Sequence, residues 1–317
     1  MDTSGLVWTP TKIDQATYCL LQWYLINVEK VKVRTTGSMA LGIFMHRRME
    51  KFFKQDGKPL RKSPEAFANS CVGWWTRHVI SSGKIRGEDI HWRDEKEPWV
   101  LREVIRKICI PIYKRRLEEG CPLYTEFNIP DFKFEGRIYR GKIDEIRPGK
   151  TGPIIRDYKT GRRRPGKMKL NYDPQFTLYL LAVSCLCYND ENFANSIGIS
   201  KEDDIESPLD FFDKIGLEYY LMREDELYTL KRNRVIYEDF CRMIDGLEED
   251  IENDNFSPQR GRLCDYCSVK EECDGRTGKT FVRVTKPIQL RIFDPIPYKQ
   301  KPKPGRKVEQ NKLFSRK

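Results

Sequence analysis

Apolar positions recur along this chain at two spacings, one typical of helices and the other of strands. Helical patterns occupy most of residues 11–118 and return at 172–188 and 232–252. Alternating patterns predict strands within residues 122–160 and a further strand around Leu217. This order predicts one α/β domain in which a helical part precedes the strands.

Polar stretches separate these elements. Residues 83–97 interrupt the helical part, and Pro111 is expected to kink or end its last helix. Residues 189–210 are polar and acidic, and we expect an exposed loop there.

Two acidic residues stand where predicted strands end. Asp144 lies three positions after Gly141, and Asp157 is followed by Tyr158 and Lys159. Residues two apart on a strand share a face, whereas adjacent residues point to opposite faces. We therefore expect Asp157 and Lys159 to point to the same side, with Tyr158 directed into the packing.

Carboxylates and an ammonium group on one face suit the hydrolysis of phosphodiesters. Hard divalent cations such as Mg²⁺ prefer oxygen ligands, which Asp144 and Asp157 offer. Such a cation lowers the pKa of a bound water and stabilises developing negative charge, and Lys159 adds a fixed positive charge. The alternative is a β-hairpin with surface acids and a salt-bridged lysine, which is the usual meaning of an isolated Asp-x-Lys.

The run 157–161, Asp-Tyr-Lys-Thr-Gly, resembles the active-site strand of the PD-(D/E)xK nuclease superfamily, in its RecB-like branch. The order and spacing of further motifs are similar to that family over residues 9–275. The resemblance implies an α/β restriction-endonuclease-like core, in which helices flank a mixed central sheet. It also implies a helical insertion at about 11–118, ahead of catalytic strands at about 122–160.

The resemblance also implies a role for individual residues. His46, Asp144, Asp157 and the backbone carbonyl of Tyr158 would hold Mg²⁺ or Mn²⁺, and Lys159 would assist the attacking water and the transition state. A histidine ligand suits Mn²⁺ better than an all-oxygen site does.

Two helix motifs extend this resemblance. Gly42-x3-His46 resembles the family's helix with a metal-binding histidine, and Gln175-x3-Tyr179 resembles the helix that positions the active site and DNA. Residues four apart share a helix face. The alternatives are a partly buried structural histidine and a core helix with a polar edge. Glu126 either adds to the metal shell, as in some relatives, or caps a strand.

The chain contains ten cysteines, three of which form the closely spaced motif Cys264-x2-Cys267-x5-Cys273. With Cys19, in the N-terminal helical pattern, this arrangement resembles the iron–sulfur branch of the family. The resemblance implies a 4Fe-4S cluster that joins the N- and C-terminal parts. Structural zinc is the alternative.

We interpret the other six cysteines as buried free thiols, since they fall mostly in apolar helical patterns. They are Cys71, Cys109, Cys121, Cys185, Cys187 and Cys241. We expect no disulfides, because the sequence has no signal peptide and a chain of 317 residues does not need them to build a core.

The net charge of +11 and the isoelectric point of about 9.1 favour a polyphosphate partner. Five basic residues directly follow the predicted active strand and would form a basic lip beside the metal: Arg162, Arg163, Arg164, Lys167 and Lys169. Four tryptophans could stack on unpaired bases, although core packing is their default role: Trp74, Trp75, Trp92 and Trp99.

The C-terminal residues 286–317 differ from the domain at 1–285, because they are basic and rich in proline, and we expect a flexible tail. Residues 289–293 and 310–314 resemble short peptides that dock on a sliding clamp. A sliding clamp and a helicase are therefore candidate partners.

These observations predict a metal-dependent deoxyribonuclease, and the resemblance implies an exonuclease that favours single-stranded DNA and works from 5′ to 3′. We expect a cytoplasmic or nucleoid-associated protein without membrane segments, acting in recombination, repair or phage DNA metabolism. The alternatives are a catalytically idle DNA-binding scaffold subunit and a CRISPR spacer-acquisition nuclease.

Overall fold

The computed structural model describes residues 2–53, 63–200, 205–261, 264 and 267–277. The chain divides into two compact units, and both are built from separate stretches of sequence. The terminal unit combines Met1–Val33, Ile129–Gly141 and Val235–Lys317. The central unit combines Arg34–Asn128 and Lys142–Arg234. The predicted tail at 286–317, with its two clamp-like peptides, lies outside the described residues.

The described strands are β1 (Val7–Trp8), β2 (Thr35–Thr36), β3 (Lys84–Ile85), β4 (Glu88–His91), β5 (Tyr124–Phe134), β6 (Arg137–Pro148), β7 (Pro153–Lys159), β8 (Gly216–Leu221) and β9 (Glu226–Leu230). The described α-helices are α1 (Pro10–Tyr18), α2 (Leu20–Asn27), α3 (Gly37–Phe53), α4 (Pro64–Trp75), α5 (Glu97–Glu119), α6 (Lys167–Tyr172), α7 (Pro174–Asn189), α8 (Glu191–Ser196), α9 (Arg234–Glu252) and α10 (Lys270–Thr277). A π-helical turn (Thr76–Ile80) follows α4, and a 3₁₀ helix (Pro208–Lys214) precedes β8.

Short polar side chains begin several of these helices. Thr9 accepts a hydrogen bond from the Lys12 amide at the start of α1, and Asp173 accepts one from the Gln175 amide at the start of α7. In both helices a proline occupies the first position. Its missing N–H costs nothing there, because the first amides of a helix lack intrahelical partners. Local sequence therefore fixes where α7, and with it Gln175, begins.

The central unit contains a mixed sheet. β6 and β7 are antiparallel, β7 and β8 are parallel, and β8 and β9 are antiparallel. β5 pairs with β6 on another edge. The helix α7 packs on this sheet through Phe176 and Tyr219, and 11 of its 16 residues are buried. A helix that is apolar on nearly all sides belongs in a core. This mixed sheet flanked by helices is consistent with the expected restriction-endonuclease-like fold.

The helical part of the central unit packs around aromatic side chains. Phe44 of α3 meets Trp75 of α4 with ring centroids 5.2 Å apart, and Phe52 of α3 stacks on Tyr113 of α5 at 5.7 Å. Tyr158 of β7 joins the same buried cluster. This packing holds α3 against the catalytic strand predicted from sequence.

One face of β6 and β7 carries a buried ion-pair network, which we call the arginine face. Arg156 donates to Glu218 at 2.7 Å and to Glu119 at 2.8 Å. Arg147 donates to Glu145 at 3.1 Å and also pairs with Glu119. Arg156 is 3% exposed and Glu145 is completely buried. Buried charges persist only when they are paired and hydrogen-bonded, as these are.

The terminal unit has its own contacts. β1 runs parallel to the first part of β6, with Val7 opposite Ile138. The indole of Trp8 donates to Glu248 of α9 at 2.9 Å. Glu248 also accepts a hydrogen bond from Arg137 at 2.9 Å. Early and late parts of the chain therefore fold together within this unit.

Several local predictions need correction. Residues 189–210 were expected to form an exposed loop, but they contain α8 and the buried Ile197 and Ile199. Asp190 caps α8 by accepting hydrogen bonds from the amides of residues 192 and 193. The helix α5 continues past Pro111 to Glu119 and does not end there.

Among the described helices, none combines the length and the apolar character needed to cross a bilayer.

Candidate active site

Asp144 on β6 and Asp157 on β7 lie on the same face of the central sheet. Glu145 pairs with Arg156 in the antiparallel register, so the residues just beyond this pair also face one another. Lys159 Nζ lies 2.7 Å from Asp157 Oδ2, and Tyr158 is only 4% exposed in the packing. The prediction that Asp157 and Lys159 point to one side of β7 while Tyr158 points into the packing is therefore confirmed.

The backbone pairing of β6 and β7 stops just before these acids. Glu145 and Arg156 form the last pair of the ladder at this end. The next free amide, that of Tyr158, donates to the side-chain Oδ2 of Asp144 at 2.7 Å. A carboxylate thus takes the place of a backbone acceptor, which fixes the position of Asp144.

His46 of α3 brings a nitrogen donor to the carboxylates. Its Nδ1 lies 3.0 Å from Asp144 Oδ1 and 3.2 Å from Glu126 Oε1. Ligand atoms of these three residues all lie within 4.8 Å of one another, and in the described part of the chain they form the one group of metal-ligand residues that are this close together. A Cβ placed at Gly42 would meet Thr160 Oγ1 at 3.6 Å, so α3 passes beside the end of β7.

Glu126 is the residue whose role the sequence left open. It sits within β5 with φ of 50°, in the left-handed region that a non-glycine residue adopts only at a cost. Its carboxylate contacts His46 and lies 2.5 Å from Lys142 Nζ. Strained residues of this kind concentrate at functional sites. The geometry therefore favours Glu126 as a member of the metal shell over a strand cap, and no sequence signal indicated its backbone conformation.

Gln175 and Tyr179 of α7 connect the site groups to one another. Gln175 Oε1 accepts a hydrogen bond from Lys159 Nζ, and its Nε2 donates to Asp157 Oδ1, both at 2.7 Å. The same Nε2 donates to the Tyr179 hydroxyl at 2.7 Å, and this hydroxyl donates to the Lys142 carbonyl at 2.6 Å. The side chains four apart on α7 therefore orient the lysine and the acid together.

The titratable groups of the site have shifted pKa values. Burial raises the pKa of Asp157 to about 7, and the Asp144 carboxylate adds to this rise while Lys159 opposes it. Burial disfavours the Lys159 ammonium, but the attraction of Asp157 outweighs it and the pKa of Lys159 is raised. The ion pair therefore offsets only part of the effect of burial on Asp157, which is mostly ionised only above about pH 7.

Opposing effects also act on His46 and Glu126. Burial of His46 favours the neutral ring, but Asp144 and Glu126 outweigh it and raise the pKa of His46 to about 10. Burial of Glu126 favours its neutral form, but His46 and Lys142 outweigh it and lower the pKa of Glu126. Protonated His46 and Lys142 thus neutralise the carboxylates of Asp144 and Glu126, as a bound metal ion would.

The donor set fits a hard or borderline divalent cation. Carboxylate oxygens suit Mg²⁺, and an imidazole beside them also suits Mn²⁺. Asp157 Oδ2 is buried, and its contact in the described part of the chain is the Lys159 ammonium, 2.7 Å away. A buried carboxylate that is paired with a cation suits a metal ion at the same place.

The four cysteines of the predicted cluster lie in the terminal unit. Cys19 is not inside a helix, as its sequence pattern suggested, but in extended conformation between α1 and α2. Cys19, Cys267 and Cys273 pack against a small apolar cluster, Leu21, Leu25 and Val269. Their sulfur atoms share this region without meeting the ligand-to-ligand distance found at His46.

Backbone amides donate to two of these sulfurs. The Gln259 amide donates to Cys19 Sγ at 3.4 Å, and the Gly261 amide donates to Cys264 Sγ at 3.3 Å. Burial raises the pKa of Cys267 and Cys273. Half-buried thiols with amide donors are a donor set that fits an iron–sulfur cluster, because hydrogen bonds to sulfur tune such clusters.

The predicted basic lip is exposed, but part of its charge is compensated. Arg162, Arg163 and Arg164 lie on the surface directly after β7. Arg164 pairs with Glu226, and Lys169 lies 3.7 Å from Asp173. Two arginines of the lip therefore remain without a carboxylate partner among the described residues.

Comparison with protein families agrees with this geometry. Residues 7–274 match the model of the PD-(D/E)XK nuclease superfamily, so the chain belongs to that superfamily. Membership suggests a metal-dependent nuclease, and nucleases of this superfamily typically use Mg²⁺ or Mn²⁺. The family assignment made from the motif around Asp157 is confirmed at this level.

Other comparisons add little. No match to a curated protein was found. The solved structure titled "Crystal structure of SSO0001" is 13% identical, with a TM-score of 0.30, and covers 75% of this chain and 97% of that one. A likeness of this size carries no argument about fold or function.

Proposed function

We propose that this chain hydrolyses phosphodiester bonds in DNA with the help of a divalent cation held by His46, Glu126, Asp144 and Asp157. The observation that carries the proposal is the convergence of three ligand atoms within 4.8 Å, beside the buried carboxylate of Asp157. The Tyr158 carbonyl is a further proposed ligand.

The side chains around the cation have separate tasks. When bound, the cation supplies Lewis-acid charge beside the scissile phosphate. Lys159 presents its ammonium to the negative charge that develops as water adds to phosphorus and the leaving oxygen departs. Gln175 holds Lys159 and Asp157 in register, and Tyr179 fixes Gln175. The products are a phosphomonoester and a free hydroxyl end.

The finer substrate assignment follows from the resemblance to the RecB-like branch. We propose an exonuclease that degrades single-stranded DNA in the 5′ to 3′ direction. The net charge of +11 and the exposed arginines after β7 support a nucleic-acid substrate without indicating polarity.

The test is the degradation of end-labelled single-stranded DNA with Mg²⁺ or Mn²⁺ by anaerobically purified protein. Lys159→Ala should reduce the rate by about 10²- to 10³-fold, as expected for the loss of one group that stabilises transition-state charge. Lys84→Ala is the matched control, because Lys84 is exposed on β3 and its one ion pair among the described residues is with the exposed Asp89. The position of the label gives the polarity.

Two results would contradict the proposal. Equal cutting by wild type and Lys159→Ala would remove the lysine from the mechanism. A folded wild-type protein that binds DNA but never cuts it, with either metal, would instead support a catalytically idle scaffold.

For the terminal unit we propose a 4Fe-4S cluster bound by Cys19, Cys264, Cys267 and Cys273. The support is their shared neighbourhood and the amide donors to two sulfurs. Four thiolates also suit zinc, but an iron–sulfur protein is coloured and a zinc protein is colourless.

Metal analysis and visible absorption of anaerobically purified protein separate these possibilities. Cys264→Ala should remove the colour and lower the melting temperature, whereas Cys121→Ala, outside the motif, should keep both. A brown Cys264→Ala protein with wild-type melting would overturn the cluster assignment, and a colourless wild type carrying zinc would replace it.

The biological setting remains a prediction from the sequence. We propose a role in recombination, repair or phage DNA metabolism, with a CRISPR spacer-acquisition nuclease as the alternative. Docking of the 286–317 tail on a sliding clamp, or delivery of substrate by a helicase, would be tested by co-purification with and without that tail.

A further inference from the structure

A surface groove runs along α3 next to α4. Its lining includes Ile43, Phe44, Arg47, Arg48, Lys51 and Trp74. We call it the α3–α4 groove, because Trp74 belongs to α4 and the other five residues to α3.

The groove carries an uncompensated positive charge. Arg47 and Lys51 are exposed and Arg48 is half-buried. Within the described part of the chain, none of these three cations forms an ion pair with a carboxylate. Arg156 on the arginine face differs, because it contacts several carboxylates. Three neighbouring cations that have no carboxylate partner among the described residues attract an anion, and a polyanion most strongly.

The same groove presents flat surfaces. The rings of Phe44 and Trp74 lie 5.5 Å apart, and the Arg48 guanidinium lies 6.0 Å from the first and 5.8 Å from the second. His78 lies 4.7 Å from Trp74. Arginine held over aromatic rings by cation–π contact presents its own planar face outward. A base can stack on such a surface, and base–aromatic stacking accepts any sequence.

Cations next to stacking surfaces recognise a nucleotide with an accessible base. The bases of a duplex are stacked on one another, so a groove of this kind selects unpaired nucleotides. Arg47 immediately follows His46 on α3. Successive helix residues point roughly 100° apart, so the groove and the proposed metal ligand lie on different faces of the same helix.

We propose that the α3–α4 groove is a nucleotide-binding subsite that holds unpaired nucleic acid, on the helix that also carries His46. Arg47 and Lys51 contact phosphates, and a base stacks on the surface formed by Arg48 and Trp74. The inference deepens the proposed nuclease function and rests on it for the identity of the strand, but its binding is measurable without cleavage.

The test measures binding of a fluorescent oligothymidine in EDTA by anisotropy, with full-length protein. Trp74→Ala should weaken binding by roughly tenfold or more, as expected for the loss of one stacked base. Trp99→Ala is the matched control: Trp99 is 49% exposed on α5 and also lies beside an arginine, Arg102, at 5.8 Å. Binding by the control variant should equal that of wild type.

A second variant tests the charge without touching the core. Arg47→Ala combined with Lys51→Ala changes two exposed side chains and should preserve the melting temperature. The slope of log affinity against log salt should become less steep by about 1.4, because each phosphate that a side chain neutralises on a single strand accounts for roughly 0.7. Weaker binding with an unchanged slope would overturn the assignment of Arg47 and Lys51 to phosphates.

The outcomes separate this inference from the proposed function. If wild type cuts DNA but both variants bind single strands as wild type does, the groove is not a subsite and the nuclease stands. If wild type never cuts but the variants bind weakly, the groove stands and the nuclease fails. Equal loss of affinity for a blunt duplex and a single strand would overturn the selection of unpaired bases.

Discussion

The two faces of the strand pair β6 and β7 bury charge in different ways. On the arginine face, Arg147 and Arg156 donate to several carboxylates, and Glu145 is fully buried. On the other face, which we call the carboxylate face, Asp144 and Asp157 meet a histidine and a lysine. The Lys159 side chain there is 28% exposed, and that of Arg156 is 4% exposed.

This difference separates structural charge from reactive charge. Arginine stays protonated at any working pH, so the arginine face is a fixed scaffold. Histidine and lysine exchange protons and can be displaced by a cation, and the buried Asp157 carboxylate is paired with such a lysine. Arg156 and Asp157 are neighbours on β7 but lie on different faces. We therefore expect a substitution of Asp157 to reduce activity and not stability, and a substitution of Arg156 to reduce stability.

The largest expected effect is on the carboxylate face. Asp157→Asn should reduce DNA cutting by at least about 10²-fold, because a charged ligand is lost. Its melting temperature should not fall, because burial already raises the pKa of Asp157 to about 7 and thus disfavours its charge. Cutting rate and thermal melting are measured on the same preparation. An Asp157→Asn variant with a lower melting temperature and a wild-type cutting rate would contradict this distinction between the two faces.

The reverse pattern is expected one position earlier. Arg156→Ala should lower the free energy of unfolding by about 3–5 kcal/mol, because it leaves buried carboxylates unpaired. Urea unfolding measures this loss. Arg140→Ala is the control, since Arg140 pairs with Asp131 on the exposed surface, and its unfolding curve should match wild type. An unchanged curve for Arg156→Ala would mean that the arginine face is not a scaffold.

A smaller effect is expected at Gln175, which touches the reactive groups without binding the cation itself. Gln175→Ala should reduce activity by about 10- to 100-fold and raise the metal concentration needed for half-maximal rate, as losses of orienting groups do. Asn189→Ala, at the far end of the same helix, should leave both quantities unchanged. A lower rate with an unchanged metal requirement would limit Gln175 to positioning Lys159.

The smallest effect concerns Glu119 and depends on pH. Burial favours its neutral form, but Arg156 and Arg147 outweigh it, so the pKa of Glu119 lies below its usual 4.5. A lowered pKa contributes stability above the unfolded-state value, and this stability is lost as the pH falls through the folded-state value. Glu119→Gln should therefore cost about 1 kcal/mol at pH 7 and nothing in strong acid. A difference that is independent of pH would point to packing rather than charge.

Much of the carboxylate face could be predicted from sequence, because it follows from local rules. The two-residue period of β7 puts Asp157 and Lys159 on one side, and the four-residue spacing of α7 puts Gln175 beside Tyr179. The motif around Asp157 also gave the superfamily. These features need only short stretches of chain and a known period.

Other features depend on contacts between distant residues. Glu126 contacts His46, from which it is separated by 80 positions in the sequence. Its backbone has a left-handed conformation that the local sequence does not predict. Glu119 joins Arg147 and Arg156 from the end of α5, a partnership that no local pattern contains. We did not predict α8 from the sequence, because polar and acidic residues dominate the composition of this stretch even though Ala194 and Ile197 are buried.

The end of the β6–β7 ladder makes one proposed metal ligand, the Asp144 carboxylate, visible to hydrogen exchange. Because the Tyr158 amide donates to the Asp144 side chain and not to a backbone carbonyl, its exchange rate reports the position of that side chain. Deuterium uptake at this single amide would thus show whether Asp144 is in place in the resting protein. Binding of a cation that draws Asp144 away would appear as faster exchange at Tyr158, in a sample that contains neither DNA nor product.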